Sequence, residues 1–257
     1  MEGKEERFGV AGSSLFIGSG TASGDGGVDS SIESFTGIGS AIAMANIMTG
    51  EVIFGGPGSG LFGMLLLVVI AVFIAGLMVG RTPEYLGKKI GEREIKLAVV
   101  GALFVPILVL IMTAVGTATK VGRSAIDTAI AHGPQAFSET LYAYLSQANN
   151  NGSAFAGYTG FMQPVAGNVG AHGIAFPDLA GGVVMTFGRF VPILFVLALG
   201  GAFAARKSAP AGLGTLRTDT PTFVVFVIAF VIIFALLNFL AALFLGPFDQ
   251  SLTGHLY

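Results

Sequence analysis

Two short segments hold the residues best suited to chemistry. Ser23, Gly24, Asp25 and Gly26 form the first, and Asn150, Asn151 and Gly152 the second. Each follows a short apolar stretch and precedes one of membrane length. Glycine tolerates positive φ, so such backbone can turn its carbonyl oxygens inward. Irregular backbone at membrane depth survives only where it is buried in protein or lines a wet cavity, and carbonyl-lined cavities strip and select cations. The chemistry these residues point to is selection of a dehydrated cation. For Asn151-Gly152 the plain alternative is a surface turn, since Asn-Gly is a strong turn signal.

Two further features belong to the same problem. Gly55-Gly56-Pro57-Gly58-Ser59-Gly60 follows Glu51, and its density of glycine and proline excludes a regular helix. Gly55, Gly56, Gly58 and Gly60 suit a gating loop or close helix packing, and Glu51 either caps a broken helix or attracts a cation. Arg189 stands centrally in an apolar stretch. A lipid-facing Arg there costs about 2.5–3.5 kcal/mol, so it must face protein or water, pairing with a carboxylate or standing on the ion path. His132, His172 and His255 have no metal-ligand spacing, and Asn238 suits an interhelical hydrogen bond. Neither a Walker sequence nor Asp-Lys-Thr-Gly occurs, so this chain is expected to be non-catalytic.

The elements that must position these residues are membrane helices. The chain is 53% hydrophobic and 11% charged, well below the roughly 25% charged fraction of a soluble domain. Residues 61–80 and 97–119 are uncharged, 222–246 contain only Asn238 as a strongly polar residue, and 182–205 are apolar apart from Arg189. These four stretches predict four spans and an all-α polytopic membrane protein. Residues 8–18 and 135–148 are too short to cross and predict re-entrant helices; Phe137, Leu141 and Leu145 share one face of the second, with Pro134 at its start. A helix that dips in and stops points its partially negative C-terminus at the membrane centre, where a cation is favoured.

Short loops set the orientation. Residues 81–96 hold Arg81, Lys88, Lys89, Arg93 and Lys96, and residues 206–221 hold Arg206, Lys207 and Arg217. The opposite segments hold Lys4, Arg7, Lys120 and Arg123, so both short loops are expected in the cytoplasm and both glycine segments outside. The charged start has no signal-peptide core. The sequence contains no cysteine and a net charge of -2 without a basic patch, which excludes thiolate chemistry and a nucleic-acid partner.

Longer strings then carry a resemblance. Gly50-Glu51-Val52-Ile53-Phe54-Gly55-Gly56 with Gly58-Ser59-Gly60, and residues 71–90 from Ala71-Val72-Phe73 through Gly80-Arg81-Thr82-Pro83-Glu84-Tyr85-Leu86-Gly87-Lys88-Lys89-Ile90, closely resemble the potassium-binding A subunit of the bacterial Kdp potassium-transporting P-type ATPase. Residues 1–5, 149–157, Gly188-Arg189-Phe190 and Gly214-Thr215-Leu216 do so too. The resemblance covers the C-terminal half of that subunit, which normally has four pore-loop repeats around one filter. It implies a third repeat lacking its first helix at 1–80, a cytoplasmic loop at 81–96, the fourth repeat at 97–205, and a further loop with the last helix at 206–257.

By the same resemblance the chain selects K⁺ and passes it to a separate catalytic subunit, with small accessory subunits, the missing N-terminal half and the lipid bilayer as partners. K⁺ is the transported ion and no cofactor is implied; the location is the bacterial inner membrane. Ser23, Gly24, Asp25, Gly26, Asn150, Asn151 and Gly152 become filter residues and Arg189 lies near the pore axis below the filter; Glu51 is read on the ion path from its own charge, and Gly55, Gly56, Gly58 and Gly60 stay open between a gate and close packing. Where the family's third filter usually has Ser or Thr, then Cys, Ser or Thr, then Gly, this chain has Gly24, Asp25 and Gly26, a departure that bears on K⁺ selectivity. Residues 158–181 form a longer stretch than the family leads one to expect. The alternative is a passive channel or ion-coupled symporter subunit of the same superfamily, and a third reading is an accessory protein packed against a transporter.

Overall fold

The computed structural model describes residues 3–52, 60–126, 131–159, 176–208 and 216–253. Helix α1 (Gly3–Ala22) breaks at Gly9, whose φ of 77° is non-helical. It is followed by a 3₁₀ turn (Ile32–Ser34), α2 (Gly37–Met48) and α3 (Gly60–Met78). A two-stranded hairpin, β1 (Glu84–Tyr85) with β2 (Lys88–Lys89), leads into α4 (Glu92–Ala118), α5 (Lys120–Arg123) and α6 (Gly133–Asn149). Then come α7 (Phe176–Ala204), α8 (Pro221–Leu243), a π-helical turn (Phe244–Phe248) and α9 (Asp249–Thr253).

Among the described residues, four helices are long and apolar enough to cross a membrane: Gly60–Met78, Glu92–Ala118, Phe176–Ala204 and Pro221–Thr253. Only 17–39% of each apolar window is buried within the chain, so most of that surface faces lipid or other protein. The core lies around α6. Ser138 to Ser146 are buried without interruption, and Leu141 and Leu145 meet Ile47, Val109, Val184 and Phe239 from four other helices, with Phe137 at the edge.

The helices run past the expected limits for local reasons. Helix α4 starts at Glu92 rather than near Leu97 because Glu94 accepts from the Gly91 backbone N–H at 2.9 Å, closing a capping box, while Glu92 pairs with Lys96 one turn on. Helix α1 continues beyond Gly18 to Ala22, where the Thr21 hydroxyl donates back to the Ile17 carbonyl at 2.7 Å. Asn238 departs from expectation. Its Nδ2 donates to the Phe234 carbonyl of its own helix at 2.7 Å, a partner already within reach one turn back.

Both ends of the bundle are tied. At one, the hairpin meets the end of α7: Lys88 Nζ donates to the Phe203 carbonyl at 2.6 Å, and Arg206 clamps the buried Glu94 with bonds of 2.8 and 3.1 Å. At the other, Gln250 Nε2 donates to Gln135 Oε1 at 3.1 Å, Gln135 donates to Glu33, and Glu33 also accepts from the Gly157 N–H at 3.2 Å. The basic loops 81–96 and 206–208 share the first end.

Candidate functional site

Helices α1 and α6 end beside each other, and the chain leaves each through a glycine segment. Asn150 follows α6 in the left-handed conformation at φ 61°, and Gly152 has φ 92°. The Asn151 N–H donates to the Ser146 carbonyl and the Gly152 N–H to the Ser146 hydroxyl, both at 2.9 Å, so one residue of α6 fixes the exit path. Gly26, at φ 70°, abuts the Asn151 carbonyl so closely that a side chain has no room. The two segments therefore meet backbone to backbone.

Side-chain amides hold them there. Asn151 Nδ2 donates to the Gly20 carbonyl at 3.0 Å and the Ser23 carbonyl at 2.8 Å, satisfying acceptors left open at the end of α1. Asn46 of α2 donates to the Gly18 carbonyl and the Thr21 hydroxyl, both at 3.2 Å. Asn149 donates to the Leu145 carbonyl at 3.0 Å and the Ile47 carbonyl at 3.4 Å. Three asparagines thus tie the ends of α1, α2 and α6 into one polar knot.

Beyond the knot the second segment is irregular up to Phe155 and then turns, the Tyr158 N–H donating to the Phe155 carbonyl at 3.2 Å. Asn151, Ser153, Phe155 and Gly157 are buried, whereas Gly152, Ala154 and Ala156 are exposed, so side chains alternate between the two sides. Its exposed edge is lined by small residues only, which suits a narrow conduit.

On the other side of the helix ends lies a cavity lined by Thr49, Gly50, Asn149, Asn150 and Arg189, with apolar walls from α3, α4, α7 and α8. The C-termini of α2 and α6 both reach it, so their partially negative ends converge. Pro106 and Pro192 line it as well; each withholds the N–H that would bond the carbonyl four residues earlier. Glu51, at φ 54°, is fully buried near the Asn151 carboxamide and within electrostatic reach of Arg189. Its oxygens make no hydrogen bond among the described residues, and the amide hydrogens of Asn151 are already committed to Gly20 and Ser23.

The structure brings Ser23 and Gly26 against Asn151, with Gly24, Asn150 and Gly152 beside them in the chain, and places Arg189 on the adjoining cavity with Glu51 within electrostatic reach. Asp25 is on the exposed side, its Oδ2 folded back toward Gly27. Gly60 is buried and opens α3; Gly55, Gly56, Gly58 and most of the 158–181 stretch lie outside the described residues. Sequence reasoning missed Tyr142, Ser146 and Asn46. Tyr142 left a signal: a phenol on an otherwise buried helix needs a partner for its hydroxyl.

Among known proteins, the family model described as potassium-transporting ATPase A subunit matches residues 1–252. Similar curated proteins are the potassium-transporting ATPase potassium-binding subunits of Streptomyces avermitilis, 49% identical over 253 residues, and of Ralstonia nicotianae, 48% identical over 253 residues. That of Kineococcus radiotolerans is 47% identical over 254 residues. The alignments cover 98–99% of this chain but 40–43% of the relatives, so the chain spans less than half their length.

Proposed function

Because this chain belongs to the potassium-transporting ATPase A subunit family, we propose that it forms part of the K⁺-selecting subunit of an ATP-driven uptake pump. Residues 23–26 and 150–152 act as two strands of a filter. The observation that carries this reading is the Asn151 bridge, which holds the two glycine segments in backbone contact at the converging ends of α1 and α6.

Two strands make half of a fourfold ring. The rest of the ring comes from the portion of the subunit to which the relatives' additional length corresponds. The exposed face of the bundle then lies against that portion and against lipid, and ATP hydrolysis takes place on a separate catalytic subunit, with small accessory subunits completing the complex. The glycine segments face the outside of the bacterial inner membrane and the basic loops the cytoplasm, in keeping with the charge asymmetry. Beneath the filter, Arg189 opposes straight-through passage of a cation, and Glu51 borders the path.

The test is ATP hydrolysis by the assembled complex, titrated with K⁺ and competed with Rb⁺. Saturable stimulation by K⁺ that is weakened by changes at Gly152 supports the reading. K⁺ flux that saturates without any catalytic subunit would instead favour a passive channel or symporter.

A further inference from the structure

The orientation of the Asn151 carboxamide is set by five hydrogen-bond contacts. Its Nδ2 donates both hydrogens to backbone carbonyls, at Gly20 and Ser23. Its Oδ1 accepts from the Ser153 N–H at 3.1 Å and from the Ser153 hydroxyl. The fifth contact is one step back, where Tyr142 Oη lies 2.6 Å from Ser153 Oγ. Because the Ser153 proton is given to Asn151, the Tyr142 hydroxyl must be the donor to Ser153. The result is a one-way relay from Tyr142 through Ser153 and Asn151 to the carbonyls of Gly20 and Ser23. Aligned donors of this kind polarise one another.

The relay is built on rigid parts. Tyr142 is 0% exposed on the central helix α6, and its ring packs against Phe155 at a centroid distance of 4.9 Å. Phe155 belongs to the buried side of the same segment as Ser153. The phenol thus grips that segment twice, by a hydrogen bond and by ring contact.

We propose that Tyr142 and Ser153 are positioning residues that set the separation of the two filter strands, and with it ion discrimination, by locking Asn151 across to Gly20 and Ser23. This rests on the filter reading given above. Neither side chain need touch the ion. A ring whose spacing is held by the protein discriminates K⁺ from the smaller Na⁺ only while the strands cannot close in.

The experiment compares K⁺ and Na⁺ as activators of ATP hydrolysis in the assembled complex carrying Tyr142→Phe, Ser153→Ala, Ser153→Thr or the Tyr142→Phe/Ser153→Ala double change, with assembly checked by size-exclusion chromatography. Tyr142→Phe and Ser153→Ala should each lower the K⁺ over Na⁺ preference by on the order of two- to tenfold, the effect of one buried hydrogen bond. Ser153→Thr, which keeps the hydroxyl, should retain the preference. The double change should be no worse than Ser153→Ala, since Tyr142 acts through Ser153. An unaltered preference in both single variants, or strictly additive losses in the double, overturns the proposal. If Tyr142→Phe does not assemble, the contrast between alanine and threonine at 153 decides. If the unaltered complex itself shows no saturable K⁺ activation, it is the filter reading that fails.

Discussion

A β-carbon on Gly26 would overlap the carbonyl oxygen of Asn151, so at this point the two glycine segments meet backbone to backbone. Nothing larger than hydrogen fits between them. Gly26→Ala must therefore push the strands apart as well as strain a φ of 70°, together about 2–4 kcal/mol. The expected outcome is loss of apparent K⁺ affinity on the order of a hundredfold, with normal membrane insertion because the four spans are untouched. K⁺ titration of ATP hydrolysis in the assembled complex checks it.

Gly152 poses the opposite problem. Its φ is 92°, but no heavy atom lies within 4 Å of where a β-carbon would point. Gly152→Ala therefore suffers backbone strain without collision, about 1–2 kcal/mol, and K⁺ affinity should fall roughly tenfold. The ranking is the informative measurement: alanine at 26 should be clearly worse than alanine at 152, and the reverse order would contradict the packing of the two strands.

Most of the framework was legible because it follows from periodic or compositional signals. Uncharged runs such as 97–119 are long and apolar enough for spans, and Pro134 followed by Phe137, Leu141 and Leu145 marks a short helix whose buried face the structure reproduces. The alternation of residues 151–157 was also present in Gly-Ser-Ala-Phe-Ala-Gly, though only the structure shows which side is buried. What could not be read was long-range pairing. Asn46, Asn149 and Asn151 look alike in sequence, and their partners at Thr21, Ile47 and Ser23 depend on how helix ends converge. Helix limits were misjudged where a cap, such as Glu94 on Gly91, extends a helix into a charged stretch.

At the basic end, Arg206 is the partner of a carboxylate that cannot reach water. The Glu94 side chain is 2% exposed and that of Arg206 42%, so deleting the arginine strands a buried charge. Arg206→Ala should destabilise the bundle, because the Glu94 carboxylate it satisfies stays buried. Glu94→Gln should cost less, because its amide oxygen can still cap Gly91. Thermal unfolding of the detergent-solubilised complex should show a drop of several degrees for the first and a smaller one for the second, with K⁺ affinity unchanged in both. A shift in K⁺ affinity would mean that the hold on α7 reaches as far as Arg189.

Arg189 lines the cavity on which the negative ends of α2 and α6 converge, within electrostatic reach of Glu51. On the filter reading proposed above, its positive charge opposes entry of a cation from the filter into that cavity. At an effective dielectric of about 20 and a separation of about 8 Å, two like charges repel by roughly 2 kcal/mol, which corresponds to about thirtyfold in a crossing rate. Arg189→Gln keeps most of the side-chain volume and removes this barrier. Proteoliposomes holding the assembled complex should then leak K⁺ in the absence of ATP, by about that factor over the unaltered complex, whereas Arg189→Lys should stay tight. If the glutamine variant neither leaks nor loses K⁺ affinity but assembles poorly, the arginine serves to neutralise Glu51 within the fold and does not guard the path.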